Sequence, residues 1–276
     1  MANTHVPPQG SASPENHPPR SAFARRLAGV LALLLFVLFA GLGTWQVVRL
    51  QWKLDLIARV DARVHADPVA PPAVAQWPQV SRESDEYRHV RLSGRYLYAY
   101  TAPVQALSEL GAGFWLLTPL CTAEGHLIFV NRGFIPSSGT IAADYPGARA
   151  PADACVAGAV AADDAPVTLT GLLRLPEPKG GFLRDNDPAN DRWYSRDVVA
   201  IAAARGFDTS RVAPYFVDAA KNQDPQGAPD QPVGGLTVIS FPNNHLVYAL
   251  TWYALALMVA GAWWWIVRHG IRRSDD

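Results

Sequence analysis

Apolar residues crowd the two ends of the chain, while the middle alternates between apolar and polar positions. Between Arg26 and Arg49 runs LAGVLALLLFVLFAGLGTWQVV without a charge, and from Leu246 to Val267 runs LVYALTWYALALMVAGAWWWIV. At the rise of an α-helix each run reaches roughly 33 Å, enough for a hydrocarbon core of about 30 Å. The pattern predicts transmembrane helices over 27–48 and 246–267. The first run is too long for the apolar part of a cleaved signal peptide, and no Ala-x-Ala-like site closes it, so a retained anchor is expected. Beyond it Leu50, Leu54, Ile57, Val60 and Val64 keep helical spacing. They predict a helical stalk over 49–67 that stops before Asp67-Pro68.

The segment 68–242 carries short strand signals bounded by Gly or Pro: 87–97, 114–121, 126–136, 167–175, 214–219 and 235–240. One stretch, SRDVVAIAAARGF (195–207), reads as a helix with Asp197 near its positive end and Gly206 stopping it. Strands outnumber helices and lack regular helical crossovers. The expected fold class is therefore membrane α+β, with two transmembrane helices flanking an antiparallel, mainly-β extracytoplasmic domain. The Ala/Asp/Pro/Gly-rich stretch 137–166 shows no period and reads as a mobile insertion. The tail 1–26, rich in Pro, Ser and Asn, is expected to be disordered.

Charge sets the topology. Arg268, Arg272 and Arg273 follow the second span in the tail 268–276, whereas the stretch before it, DQPVGGLTVISFPNN, has no Lys or Arg. That asymmetry places the C-terminus in the cytoplasm. Two spans then put the N-terminus there as well. Trp45, Trp52 and Trp263 to Trp265 fall near the expected interfaces as aromatic anchors. Glu15 and the lack of an Arg-spaced amphipathic helix argue against a mitochondrial transit peptide, so a bacterial inner membrane is the expected location. A formal net charge of +0 gives no support for nucleic-acid binding. Cys121 and Cys155 are the two cysteines; a bridge between them and two free thiols are both compatible with the sequence.

Enzyme signatures are missing: no Gly-x-Ser-x-Gly, no Cys–His pair at a telling spacing and no Gly-rich phosphate loop. The Asp/Asn-dense RDNDPANDRW (184–193) lacks the frame and terminal Glu of a calcium loop, and reads as an Asx-turn loop leading into the helix. In NRGFIP (131–136), Arg132 and Gly133 stand at a strand end; an Arg paired to a domain carboxylate is favoured over an interaction surface. The most informative polar residue is His245, where the second span begins. An ionisable group there is a functional candidate, and a neutral imidazole is a good axial ligand for haem iron. His245, Tyr248 and Trp252 share a helical face. The competing reading is an interfacial histidine bonded to headgroups, with Tyr248 and Trp252 as belt aromatics. Antiparallel spans bring Gly41, Gly43, Thr44, Trp45 and Gln46 level with His245 to Trp252. The small residues there either leave a gap for a flat apolar ligand or simply pack the helices together.

The stretches LGTWQVVRLQWKLDLI (42–57), VRLSGRY (90–96), VNRGFIP (130–136), WYSRDVVAIAAARG (193–206) and NNHLVYALTWYALA (243–256) together resemble the Surfeit-locus-one (Surf-one, Shy-one in yeast) family of cytochrome c oxidase assembly factors. They occur in family order and span almost the whole chain; the long 137–166 stretch is a departure. The resemblance implies a non-enzymatic factor that binds haem a and assists its insertion into the oxidase's large subunit, with His245 as the iron ligand. Trp45, Gln46, Tyr248 and Trp252 carry over as pocket or helix-packing residues. The oxidase large subunit, a haem a synthase and membrane lipid are the implied partners. The alternative is a structural scaffold that stabilises an oxidase assembly intermediate without binding haem.

Overall fold

The computed structural model describes residues 22–137, 145, 147–156, 166–178, 184–237, 239 and 241–272. The tail up to residue 21 and much of the 137–166 stretch lie outside the described residues. In chain order the elements are α1 (Ala22–Val64), β1 (His89–Tyr96), β2 (Ala102–Ser108), β3 (Gly111–Cys121), β4 (Leu127–Pro136), β5 (Val167–Arg174), α2 (Val198–Ala204), β6 (Val212–Ala219) and α3 (His245–Arg272). They fall into two compact units. Asp55–Phe241 is one, and the chain up to Leu54 together with the chain from Pro242 is the other.

The terminal unit consists of α3 and α1 up to Leu54. Both helices are long and apolar enough to cross a membrane, over Phe23–Val64 and His245–His269. Leu27, Leu31, Leu34 and Leu38 on α1, and Leu250, Leu257 and Met258 on α3, stand exposed. An apolar surface of that extent is foreign to a core helix of a water-soluble fold.

In the Asp55–Phe241 unit one sheet runs in the order β1-β5-β6-β4-β3-β2, and β1 also pairs with the end of β3. Arg95 and Tyr96 of β1 lie opposite Cys121 and Leu120, which closes β1, β5, β6, β4 and β3 into a barrel-like ring and leaves β2 outside it. The inside collects side chains from all five ring strands: Val90, Leu92, Leu120, Ile128, Val130, Leu169, Leu173, Tyr215 and Val217. The opposite face of β4 and β6, with Leu127, Phe129, Val212 and Phe216, packs beneath Val198, Ile201 and Ala202 of α2 and beneath Trp193. Burial on both faces explains why β4 reads as an almost unbroken apolar run. The last turns of α1 belong to this unit: Val60 is buried, and Arg63 donates from Nη2 to the carbonyl of Glu83.

The antiparallel expectation holds for every ladder but one. β4 and β6 run parallel, with Phe129 opposite Phe216 and Asn131 opposite Asp218. The long connection carrying β5 and α2 supplies the crossover that a parallel pair requires. Two strand expectations are corrected. Residues 102–108 form β2 despite Pro103, because β2 is the edge strand of the sheet, laddered to β3 and met on its other side by the single Val104–Trp193 bridge, so the missing Pro103 N–H is tolerated. Residues 235–237 are not a strand: Gly235 has φ +76° and only Val233 bridges to Phe134; residues 238 and 240 lie outside the described residues.

Helix α2 is set as its sequence implies. The Asp197 carboxylate accepts from the Ala200 amide at 3.1 Å, and Gly206, at φ +81°, carries the chain out of the helix. Cys121 and Cys155 are joined by a disulfide. The described part of the 137–166 stretch is tied to the unit at that bridge, at buried Tyr145 and at Ala150, whose amide donates to the Arg205 carbonyl.

Candidate functional site

Helix α3 starts where its sequence permits. Pro242 disfavours helix at the residue before it, and the Asn244 carbonyl accepts the first helical bond, from the Tyr248 amide at 3.2 Å. His245 is thus the first residue of the helix. Its Nδ1 lies 2.7 Å from Oε1 of Gln46 on α1. Gln46 is 9% exposed in an otherwise apolar stretch, where an amide without a partner would be costly. The imidazole provides that partner. Among the described residues, Nε2 of His245 has no hydrogen-bond partner.

The pairing continues along both helices. In an antiparallel pair each step forward on one helix is a step back on the other, so two turns from Gln46–His245 place Phe39 opposite Trp252. Their rings stack with centroids 5.7 Å apart at 28°. Thr44 Oγ1 donates to the Ala40 carbonyl at 2.9 Å and lies 3.0 Å from the Tyr253 hydroxyl, which it can therefore accept from. Gly43 lies under the same tyrosine: a Cβ there would meet Cε1 of Tyr253 at 2.8 Å. Further along, Gly29 lies under Trp263 in the same way. From Gly29 to Gln46 the helix rises about 25 Å, so the pairing reaches across most of the apolar length. Among the described side chains of α3, Ala249 and Ala256 are the most buried.

Of the residues expected at this site, the structure brings together His245 and Gln46, and puts Trp252 in the same interface. Tyr248 and Trp45 stand more than half exposed beside it. Gly43 fills the packing role expected of small residues here, whereas Gly41 has nothing within 4 Å of a Cβ position. Phe39 and Tyr253 were not anticipated. The signal for them is the antiparallel register itself, once one residue pair is fixed.

The Asp55–Phe241 unit offers a second polar concentration, a cavity of about 190 Å³ beside Trp115, Asn131, Arg174, Arg196, Asp218 and Thr237. Asp218 accepts from Asn131 Nδ2 at 2.8 Å, Arg174 Nη1 at 3.1 Å and Thr237 Oγ1 at 2.9 Å. Glu177 accepts from both arginines, at 3.3 and 3.0 Å. Burial opposes the Arg174 charge, but Asp218, Tyr87, Glu177 and Glu86 outweigh it and hold the guanidinium more firmly protonated than usual. Here cations and carboxylates answer one another, which is the arrangement of a structural network. Arg132 is likewise an internal residue, paired with Asp224, in agreement with the reading of NRGFIP as structure.

The loop 184–193 spends its polar side chains in the same way. Asp187 Oδ1 accepts from the Asn190 amide at 3.3 Å. Asn186 Oδ1 accepts from the Tyr194 and Ser195 amides, and Asp191 takes both ends of the Arg205 guanidinium. The Asx-turn expectation holds.

A family model described as the SURF1 family matches residues 33–257, from within α1 to within α3. The chain is 33% identical over 250 residues to "Surfeit locus protein 1" of Rattus norvegicus, covering 85% of this chain and 72% of the relative. The human protein of that name is 33% identical over 248 residues, covering 84% and 74%. A "SURF1-like protein" of Monosiga brevicollis is 32% identical over 268 residues, covering 92% and 94%.

Proposed function

The chain belongs to the SURF1 family, which implies a role in cytochrome c oxidase assembly, and on that premise we propose that it binds haem a and assists its insertion into the oxidase's large subunit. The observation that carries this reading is the state of the His245 ring. Nδ1 is held by Gln46, and Nε2 has no hydrogen-bond partner among the described residues. A neutral imidazole so held is a suitable donor for haem iron. The neighbouring surface is apolar and aromatic, with Trp252 and Phe39 stacked and Tyr248 and Trp45 exposed, which suits a flat apolar macrocycle. Bound haem would supply the prosthetic group to be delivered. This chain's residues hold and orient it, and the family is one of assembly factors rather than a recognised enzyme family.

The setting proposed is a bacterial inner membrane crossed by α1 and α3, with both termini cytoplasmic and the Asp55–Phe241 unit outside the cytoplasm. Three features support it: two helices of sufficient length and apolarity, the arginines Arg268, Arg272 and Arg273 clustered at the C-terminal end of the α3 segment, and the Cys121–Cys155 disulfide, which belongs to an oxidising compartment. The oxidase large subunit and a haem a synthase are the proposed partners.

A second reading has its own support. The Gln46–His245 bond also ties α1 to α3, and a scaffold that never touches haem would need only that. Co-expression with the enzymes of haem a synthesis, followed by a visible spectrum of the purified protein, separates the two. Absorbing protein that turns colourless in His245→Ala supports haem carriage. Colourless wild-type protein that still captures the oxidase large subunit, with capture surviving His245→Ala, supports the scaffold.

A further inference from the structure

Resting on the haem reading above, we propose that Gln46 is a positioning residue that fixes which nitrogen of His245 is offered to the iron. A neutral imidazole carries one proton, so one nitrogen donates and the other holds the lone pair. Oε1 of Gln46 lies 2.7 Å from Nδ1 and, as an amide oxygen, can only accept, so with the amide in this orientation the proton sits on Nδ1 and the lone pair on Nε2. The reverse amide orientation would donate to Nδ1 and place the proton on Nε2, closing that nitrogen to a metal. The first orientation alone leaves a ligand at the nitrogen with no other partner among the described residues. Histidine ligands are commonly held this way, by an acceptor on the far ring nitrogen that fixes tautomer and orientation and raises basicity.

Packing enforces the arrangement from both sides. Gln46 is nearly buried, and the Phe39–Trp252 stack holds its helix against α3. The Thr44–Tyr253 bond makes a useful control, because Thr44→Val removes a contact between the same two helices without touching the imidazole.

The experiment has two arms. In the first, ring nitrogen and carbon shifts of His245 are recorded by NMR on haem-free protein in detergent, with His245→Ala assigning the signals. The Nδ1–H form is expected in the wild type and a mixture of tautomers in Gln46→Met. In the second, protein co-expressed with haem a synthesis is compared for haem retention and reduction potential. Gln46→Met should hold haem 10- to 100-fold more weakly, and Thr44→Val should hold it like the wild type. Gln46→Glu, a stronger acceptor, should retain haem with a more negative potential. An Nε2–H ring in the wild type overturns the assignment. So does a Gln46→Met protein with unchanged affinity and potential while His245→Ala loses haem, and in that case the haem reading stands. A spectrum indifferent to His245→Ala overturns both.

Discussion

Arg132 and Asp224 form a two-point ion pair inside the Asp55–Phe241 unit, with Nε and Nη2 of the guanidinium each donating to one carboxylate oxygen. The arginine side chain is wholly buried. Nη2 also reaches the Pro229 carbonyl, and the guanidinium lies 4.7 Å from the centre of the Tyr98 ring. Removing one partner strands a buried charge, so Arg132→Met should cost about 3–5 kcal/mol. Lysine cannot reproduce the two-point contact, and Arg132→Lys should also destabilise. Pairing Arg132→Met with Asp224→Leu should recover a large part of the loss. Thermal unfolding in detergent measures all three. If the double variant is no better than Arg132→Met, the stranded carboxylate is not the source of the cost.

The disulfide joins Cys121, at the end of β3, to Cys155, across 34 positions of sequence. Closing a loop of that length restricts the unfolded chain by about 3–4 kcal/mol in the chain-entropy account. Cys121→Ala with Cys155→Ala should lower stability by roughly that amount and loosen the stretch that ends at Cys155, read as faster proteolysis between β4 and β5. Titration of unfolded, unreduced wild-type protein should find no reactive thiol. Two thiols per chain would contradict the bridge.

These elements differ in how legible they were. Both long helices announce themselves through uninterrupted apolar runs long enough to cross a membrane, which few other contexts require. Strands β1, β3, β4, β5 and β6 carry β-branched and aromatic residues between turn formers, so local pattern suffices. β2 does not: its Pro103, Gln105 and Ser108 are weak strand residues, and only the ladder to β3 makes it one. The parallel pairing of β4 and β6 is likewise set by distant contacts, as is the disulfide, since two cysteines in sequence are compatible with either state. His245 was visible as an ionisable residue at a span's edge. Its partner Gln46 was placed only at the same level; the hydrogen bond between them depends on helix rotation, which depth arguments do not provide.

Gly43 tests the helix pair directly. A Cβ at this position would sit 2.8 Å from the Tyr253 ring, so Gly43→Ala should push the ring aside, lengthen the Thr44–Tyr253 bond and cost about 1–3 kcal/mol. The cost should largely vanish in a Tyr253→Ala background, where the space is already open. A double-mutant cycle on thermal stability in detergent reads the coupling. Additive effects would mean that the glycine does not serve to receive the tyrosine.

Tyr215 on β6 predicts how the unit responds to alkali. Its side chain points into the ring interior, 1% exposed, and its hydroxyl donates to the Pro72 carbonyl at 3.0 Å. Burial pushes the phenol up to about 12, with a hydrogen bond involving Trp77 pulling slightly the other way. In the unfolded chain the same group titrates near its ordinary value of about 10. Between those values the unfolded state has lost the proton that the native state keeps. Stability therefore falls as pH rises from about 10 and stops falling on this account once the native phenol also ionises, at about 12. Tyr96, also buried and raised by desolvation first, adds a slope of the same sign. At neutral pH Tyr215→Phe should lose only the hydrogen bond, about 1 kcal/mol. Above about pH 10 it should unfold along a shallower slope than the wild type, so the two stability curves converge as alkali is added. Melting temperatures taken at intervals from neutral to strongly alkaline pH give the comparison. Parallel curves would show that the Tyr215 phenol does not carry the alkaline sensitivity.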